Sequence, residues 1–294
     1  MTGSAERFWT ARHGDPSADA HDNFLAHPLV SAYVSIRAFG SVTPHIDAFA
    51  VALRERTKPG SRVLSVGCGP AGKERVLARM LPDRRIEAMD VAGEVIARAK
   101  AEVEAEGIRN LELWRGDFNR LELDIARYDA VIGMGAFHHV EALEAFWEQV
   151  HRSLVPGGWV LAQEYVGPAR FQWTDAQLAL GTRALETLVP ARLRPHHSKV
   201  ERMPPEAIAE EDPSECVRSD ELLPTLGAAG FEIAAVVGAG GSLLQPVLMH
   251  QIAAYDPKSW EDNHVLSALF REEDRAIRAG ELRDDFAMFV ARRR

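Results

Sequence analysis

The 294-residue chain carries 34 Lys and Arg against 43 Asp and Glu, a formal charge of −9, with its basic residues scattered among acidic neighbours; this argues against a nucleic-acid partner. At 46% apolar residues it can build a continuous core, and its two cysteines, Cys68 and Cys216, exclude a disulfide framework and a four-thiolate zinc site. No apolar run is long enough to span a bilayer, and the early Glu6, Arg7, Arg12, His13 and Asp15 do not read as a secretion leader, so an unanchored cytoplasmic protein is expected.

Residues 1–58 show no sheet signature. Leu29, Val30, Tyr33, Val34 and Ile36 suggest one helix, and Ile46, Phe49, Ala50 and Leu53 a second, together a helical lid ended by Thr57-Lys58-Pro59-Gly60. From there apolar strands are expected near 62–66, 85–90, 111–115, 128–132 and 158–164, alternating with helices. The spacing of Leu143, Phe146, Trp147, Val150 and Leu154 puts one apolar stripe on the helix before the fifth strand.

After Glu164 the chain detours through residues 166–215, with a capping box at Thr174 and Gln177, several prolines and the acidic run Glu210-Glu211-Asp212, a second helical lid. A sixth strand is expected over Phe231–Val237 and a seventh over Gln245–Tyr255, paired antiparallel across the glycine-rich segment 238–242. Residues 257–294 read as a helical extension capped by Ser259. The core thus covers 59–165 and 216–256: an α/β, Rossmann-like, doubly wound seven-stranded sheet with an antiparallel edge strand and helical lids.

The first strand runs into Gly67-Cys68-Gly69 and then a helix, a turn in which glycines let the backbone approach a ligand and helix N–H groups face it. Asp90 ends the second strand, where a carboxylate can take ribose hydroxyls. Gly67, Gly69 and Gly72 alone also satisfy the dinucleotide fingerprint, so a nicotinamide-dependent oxidoreductase is the rival reading.

With Gly116-Asp117-Phe118 after the third strand, Tyr128–Gly135 as the fourth and Leu154–Trp159 leading into the fifth, the series resembles the class I S-adenosylmethionine-dependent methyltransferases. The resemblance implies S-adenosyl-L-methionine as cofactor. Gly67, Cys68 and Gly69 would hold its methionine end, Asp90 with Val91 the ribose, Asp117 with Phe118 the adenine, and Met134 the pocket wall. Two positions depart from the family pattern: Ser65 replaces the usual acid ending the first strand, and Ala71 replaces a glycine. Carbonyl oxygens, water or Glu74 would then receive the methionine ammonium.

Topology brings His138 and His139 after strand four, and Glu164 and Tyr165 at the end of strand five, to the same crevice. His138, His139 and Glu164 are the catalytic candidates, because an imidazole can take an acceptor's proton near neutrality. The same histidines read equally as pocket wall. Arg170 was a candidate contact for an anionic or sugar-bearing acceptor, with solvent exposure as the plainer reading. No metal is expected, since adjacent histidines point apart and no spaced ligand pair converges on a point. The two lids argue for a small-molecule acceptor, O-methylated at a hydroxyl of a sugar-like or secondary metabolite, with N- or C-methylation and a homodimer left open.

Overall fold

The computed structural model describes residues 2–13 and 24–294; residues 14–23 of the expected N-terminal lid lie outside the described residues. Helices α1 (Thr2–Arg12), α2 (Pro28–Phe39) and α3 (His45–Arg56) precede a sheet built in the order β1 (Arg62–Val66), α4 (Gly72–Met80), β2 (Arg85–Asp90), α5 (Gly93–Ala105), β3 (Leu111–Arg115), β4 (Tyr128–Met134), α6 (Leu143–Ser153) and β5 (Leu154–Tyr165). Helices α7 (Asp175–Leu188), α8 (Pro205–Glu211) and α9 (Leu222–Ala228) lead to β6 (Phe231–Gly238), and α10 (Leu244–Leu248) and α11 (Trp260–Arg278) to β7 (Phe286–Arg293).

The strands lie in the order β3-β2-β1-β4-β5-β7-β6. The first five are parallel, and β7 runs antiparallel to both neighbours. Strands β1, β2 and β4 are buried nearly throughout, as parallel strands covered on both faces must be. One face packs on α3, α4 and α5 through Phe49, Leu53, Leu77 and Ile96; the other packs on α6 and α9 through Phe146, Trp147, Val150 and Leu222. The register brings Val66 level with Met89 and Gly133, so the turns after β1, β2 and β4 open together where the strand order reverses.

The apolar stripe of α6 is buried as its spacing required, and Thr174 and Gln177 form the capping box that starts α7. Ser259 accepts the N–H of Asp262 at 3.2 Å and caps α11. The last strand, however, is not Gln245–Tyr255, and residues 257–294 are not helical throughout. That apolar run forms α10 and a 3-10 turn, buried in a separate helical core with α2, α7 and α11. The reason is Glu273 of α11: its buried carboxylate accepts the N–H groups of Gly241 (3.0 Å), Leu243 (2.8 Å) and Leu244 (3.1 Å), turning the chain into a helix where a hairpin was expected. β7 instead takes the alternating segment Phe286–Arg293, with Ala287, Phe289 and Ala291 buried on one face. Among the described residues no helix is long and apolar enough to cross a membrane.

Candidate active site

The turn after β1 holds Gly67 at φ 70° and Gly69 at φ 51°, and Ala71 adopts the same left-handed region at φ 55° just before α4. A Cβ on Gly67 would lie 2.6 Å from that of Ala136, so the cradle is shaped by the missing side chain. Asp90 ties the turn to the next one: Oδ2 accepts the N–H of Gly69 (2.9 Å) and Oδ1 that of Ala92 (3.0 Å). Asp117 accepts the N–H of Asn119 at 2.9 Å, which fixes the Phe118 turn after β3.

These turns enclose a cavity of about 640 Å³, whose wall includes Gly67, Cys68, Gly69, Asp90, Val91, Asp117, Phe118 and Met134, together with Glu74. Burial pushes the Glu74 carboxyl up; Oε1 accepts the Ser65 hydroxyl at 2.8 Å, while Oε2 is buried without a hydrogen-bond partner. An orphaned carboxylate oxygen in a glycine-walled cavity fits a ligand bearing an ammonium. Cys68 lines the same cavity, its thiol pushed well up by burial.

A second cavity, about 630 Å³, lies across Met134, Gly135, His139, Trp9 and Lys73, which line both spaces. Phe8, Phe24, Ile46, Phe171, Met203 and Phe286 make much of its wall apolar, and His138, Glu164, Glu211, Asp212 and Glu215 add polar groups. Glu164 is fully occupied: Oε1 accepts the N–H groups of Ala136 and Phe137 (both 2.9 Å), and Oε2 accepts the His138 N–H (3.3 Å) and meets His138 Nδ1 at 2.7 Å. It is a positioning group for the turn and the ring. Burial opposes charging His138, but the Glu164 bond and nearby carboxylates outweigh it and hold the imidazole above its usual range. Burial, aided by His138, holds His139 below it.

The turn Asp212-Pro213-Ser214-Glu215 descends from the second lid onto these histidines. Ser214 donates through N–H and Oγ to Asp212 Oδ1, both at 2.8 Å, and Ser214 Oγ lies 3.2 Å from His139 Nδ1. Asp212 Oδ2, buried and unpartnered, is 3.8 Å from His139 Nδ1. Arg170 pins this turn by donating to the carbonyls of Asp212 (3.2 Å), Pro213 (2.7 Å) and Glu215 (2.9 Å), so its hydrogen bonds go to the protein backbone. In the sequence Asp212 is marked only as the end of an acidic run and Glu215 not at all; the Asp-Pro-Ser turn signal is the local feature that places them together.

The seven-stranded sheet with its antiparallel edge and the turns at its tips make the Rossmann-like methyltransferase fold. Residues 63–158 match a family described as a methyltransferase domain. Sterol 24-C-methyltransferase ERG6B of Gibberella zeae is 31% identical over 102 residues, 34% of this chain and 27% of that protein. The sterol 24-C-methyltransferase of Yarrowia lipolytica is 29% identical over 142 residues, 46% and 37% of the two chains, so the match spans well under half of either relative. Geranyl diphosphate C-methyltransferase from Streptomyces coelicolor A3(2), solved with Mg2+, geranyl diphosphate and S-adenosyl-L-homocysteine, shares the fold over 100% of this chain and 98% of its own, with a TM-score of 0.58 at 12% identity.

Proposed function

We propose that this chain transfers the methyl group of S-adenosylmethionine to a carbon atom of a small, largely apolar acceptor held in the second cavity. The observation that carries this reading is the shared wall of Met134, Gly135 and His139, across which a cofactor cavity and an acceptor cavity meet at the strand tips.

When bound, S-adenosylmethionine supplies a methyl carbon made electrophilic by its sulfonium, so the protein need not activate the donor. Glu74 would receive the ammonium, the N–H groups that open α4 the carboxylate, Asp90 the ribose hydroxyls, and Asp117 and Phe118 the adenine. The apolar wall of the second cavity orients the acceptor and excludes water. Asp212 Oδ2, with a lone pair no protein donor uses, takes the proton that the methylated carbon must lose.

The expected acceptor thereby moves from a hydroxyl oxygen to carbon. Both sterol relatives and the geranyl diphosphate enzyme are named C-methyltransferases, and the aromatic wall suits such acceptors. Hydroxyl methylation is the second reading, favoured by the His138–His139 pair beside the shared wall. Incubation with trideuteromethyl-labelled cofactor and a panel of alkenes, enolisable carbonyl compounds and alcohols distinguishes them by mass spectrometry. Label on carbon supports the proposal, label only on oxygen moves it to the second reading, and no label transfer to any acceptor while the cofactor binds overturns both.

A further inference from the structure

We propose that His138, His139 and Glu215 form a binding site for one divalent transition-metal ion at the acceptor cavity. The sequence argued against a metal because neighbouring histidines diverge, yet the 3-10 turn Phe137–His139 brings the two rings to 4.1 Å between centroids. Glu215 arrives from the lid, and one ligand atom from each of the three residues lies within 4.8 Å of the others. His138 Nε2 and Glu215 Oε1 are 3.9 Å apart, a separation that donors about 2.0–2.2 Å from a common ion can span.

Two further features point to an ion. Glu164 holds His138 through Nδ1 at 2.7 Å and leaves Nε2 for a ligand, the carboxylate–imidazole arrangement that orients metal-binding histidines. Independently, Asp212 Oδ2 is buried without a hydrogen-bond partner and faces His139 Nδ1 at 3.8 Å, a negative oxygen directed at the cluster. Glu215 Oε1 accepts from the weak donor Cys216 Sγ at 3.0 Å, and the Arg12 guanidinium acts on the same carboxylate, a cation that a metal ion would have to displace or neighbour. Two nitrogens and a carboxylate select zinc, cobalt, iron or manganese over magnesium or calcium. Three ligands leave coordination positions open, and all three residues line or border the acceptor cavity. Resting on the function proposed above, the acceptor would then carry oxygen donors beside the carbon to be methylated, as an enolisable carbonyl compound does.

The test titrates chelator-stripped, tag-free full-length protein with Co(II) and Zn(II), following heat and, for cobalt, visible absorption. One equivalent should bind with the bands of a nitrogen–oxygen site, about tenfold or more weakly in Glu215→Gln and His138→Ala, while both variants keep wild-type affinity for S-adenosylhomocysteine as proof of folding. Absence of a saturable single site for either ion, or equal binding by both variants, overturns the proposal. Asp212→Asn should also weaken the site if Glu215→Gln fails to fold. Methyl transfer with no saturable metal binding would sink the metal site and leave the proposed function standing; metal binding without methyl transfer would do the reverse.

Discussion

Glu164 Oε2 meets His138 Nδ1 at 2.7 Å while the same carboxylate accepts three consecutive backbone N–H groups, so one side chain of β5 fixes both the ring and the turn that follows β4. Glu164→Gln puts an amide N–H2 where donors already point. It should cost about 2–4 kcal/mol in denaturant unfolding and lower turnover as well. Unchanged stability would show that the turn holds itself.

Glu74→Gln separates the two ends of the cofactor. Affinity for S-adenosylmethionine and S-adenosylhomocysteine should fall by about 1–3 kcal/mol, and affinity for methylthioadenosine, which lacks the amino-acid end, should hold. Equal loss on all three by calorimetry would refute ammonium contact.

Asp90→Ala should weaken methylthioadenosine and S-adenosylhomocysteine alike by about 1–3 kcal/mol, because it removes the ribose acceptor and frees the N–H groups of Gly69 and Ala92. Retained affinity would assign the ribose elsewhere.

Asp212→Asn should reduce turnover about 100-fold with S-adenosylhomocysteine affinity intact. A variant as active as the parent rules Asp212 out as proton acceptor.

Asp285, buried at the start of β7's approach and bonded by Gln177 Nε2 at 2.7 Å, has its carboxyl pushed up to about 7, chiefly by burial. The folded state therefore holds a proton that the unfolded chain releases near pH 4, so this group's stabilisation is full below about pH 4 and lost as pH rises towards about 7. Asp285→Asn should flatten that slope in thermal melts and raise the midpoint at about pH 8. A parallel pH profile for parent and variant counts against it.

The parallel half of the sheet and the cofactor cradle were legible because their signals are local: apolar runs bounded by Gly67, Gly69 and the acids Asp90 and Asp117. β7 was hidden because its alternation ends in two arginines, while the more apolar run around Val247 belongs to a helical core that exists only once Glu273 caps it. Glu215 and Asp212 reach the histidines through tertiary folding of the lid, which no spacing in the chain records. Ser65 was readable as a departure; that its hydroxyl bonds Glu74 is a tertiary fact.

Among the described residues strand β6 pairs only with β7, which lies between β5 and β6 although residues 239–285, with α10 and α11, separate the two strands in the chain. On this edge strand Ile233, Val236 and Val237 are exposed, an apolar ribbon open to pairing with another chain. Non-local pairing of this edge makes edge-to-edge association the expected competitor of folding, and refolding yield should fall as protein concentration rises.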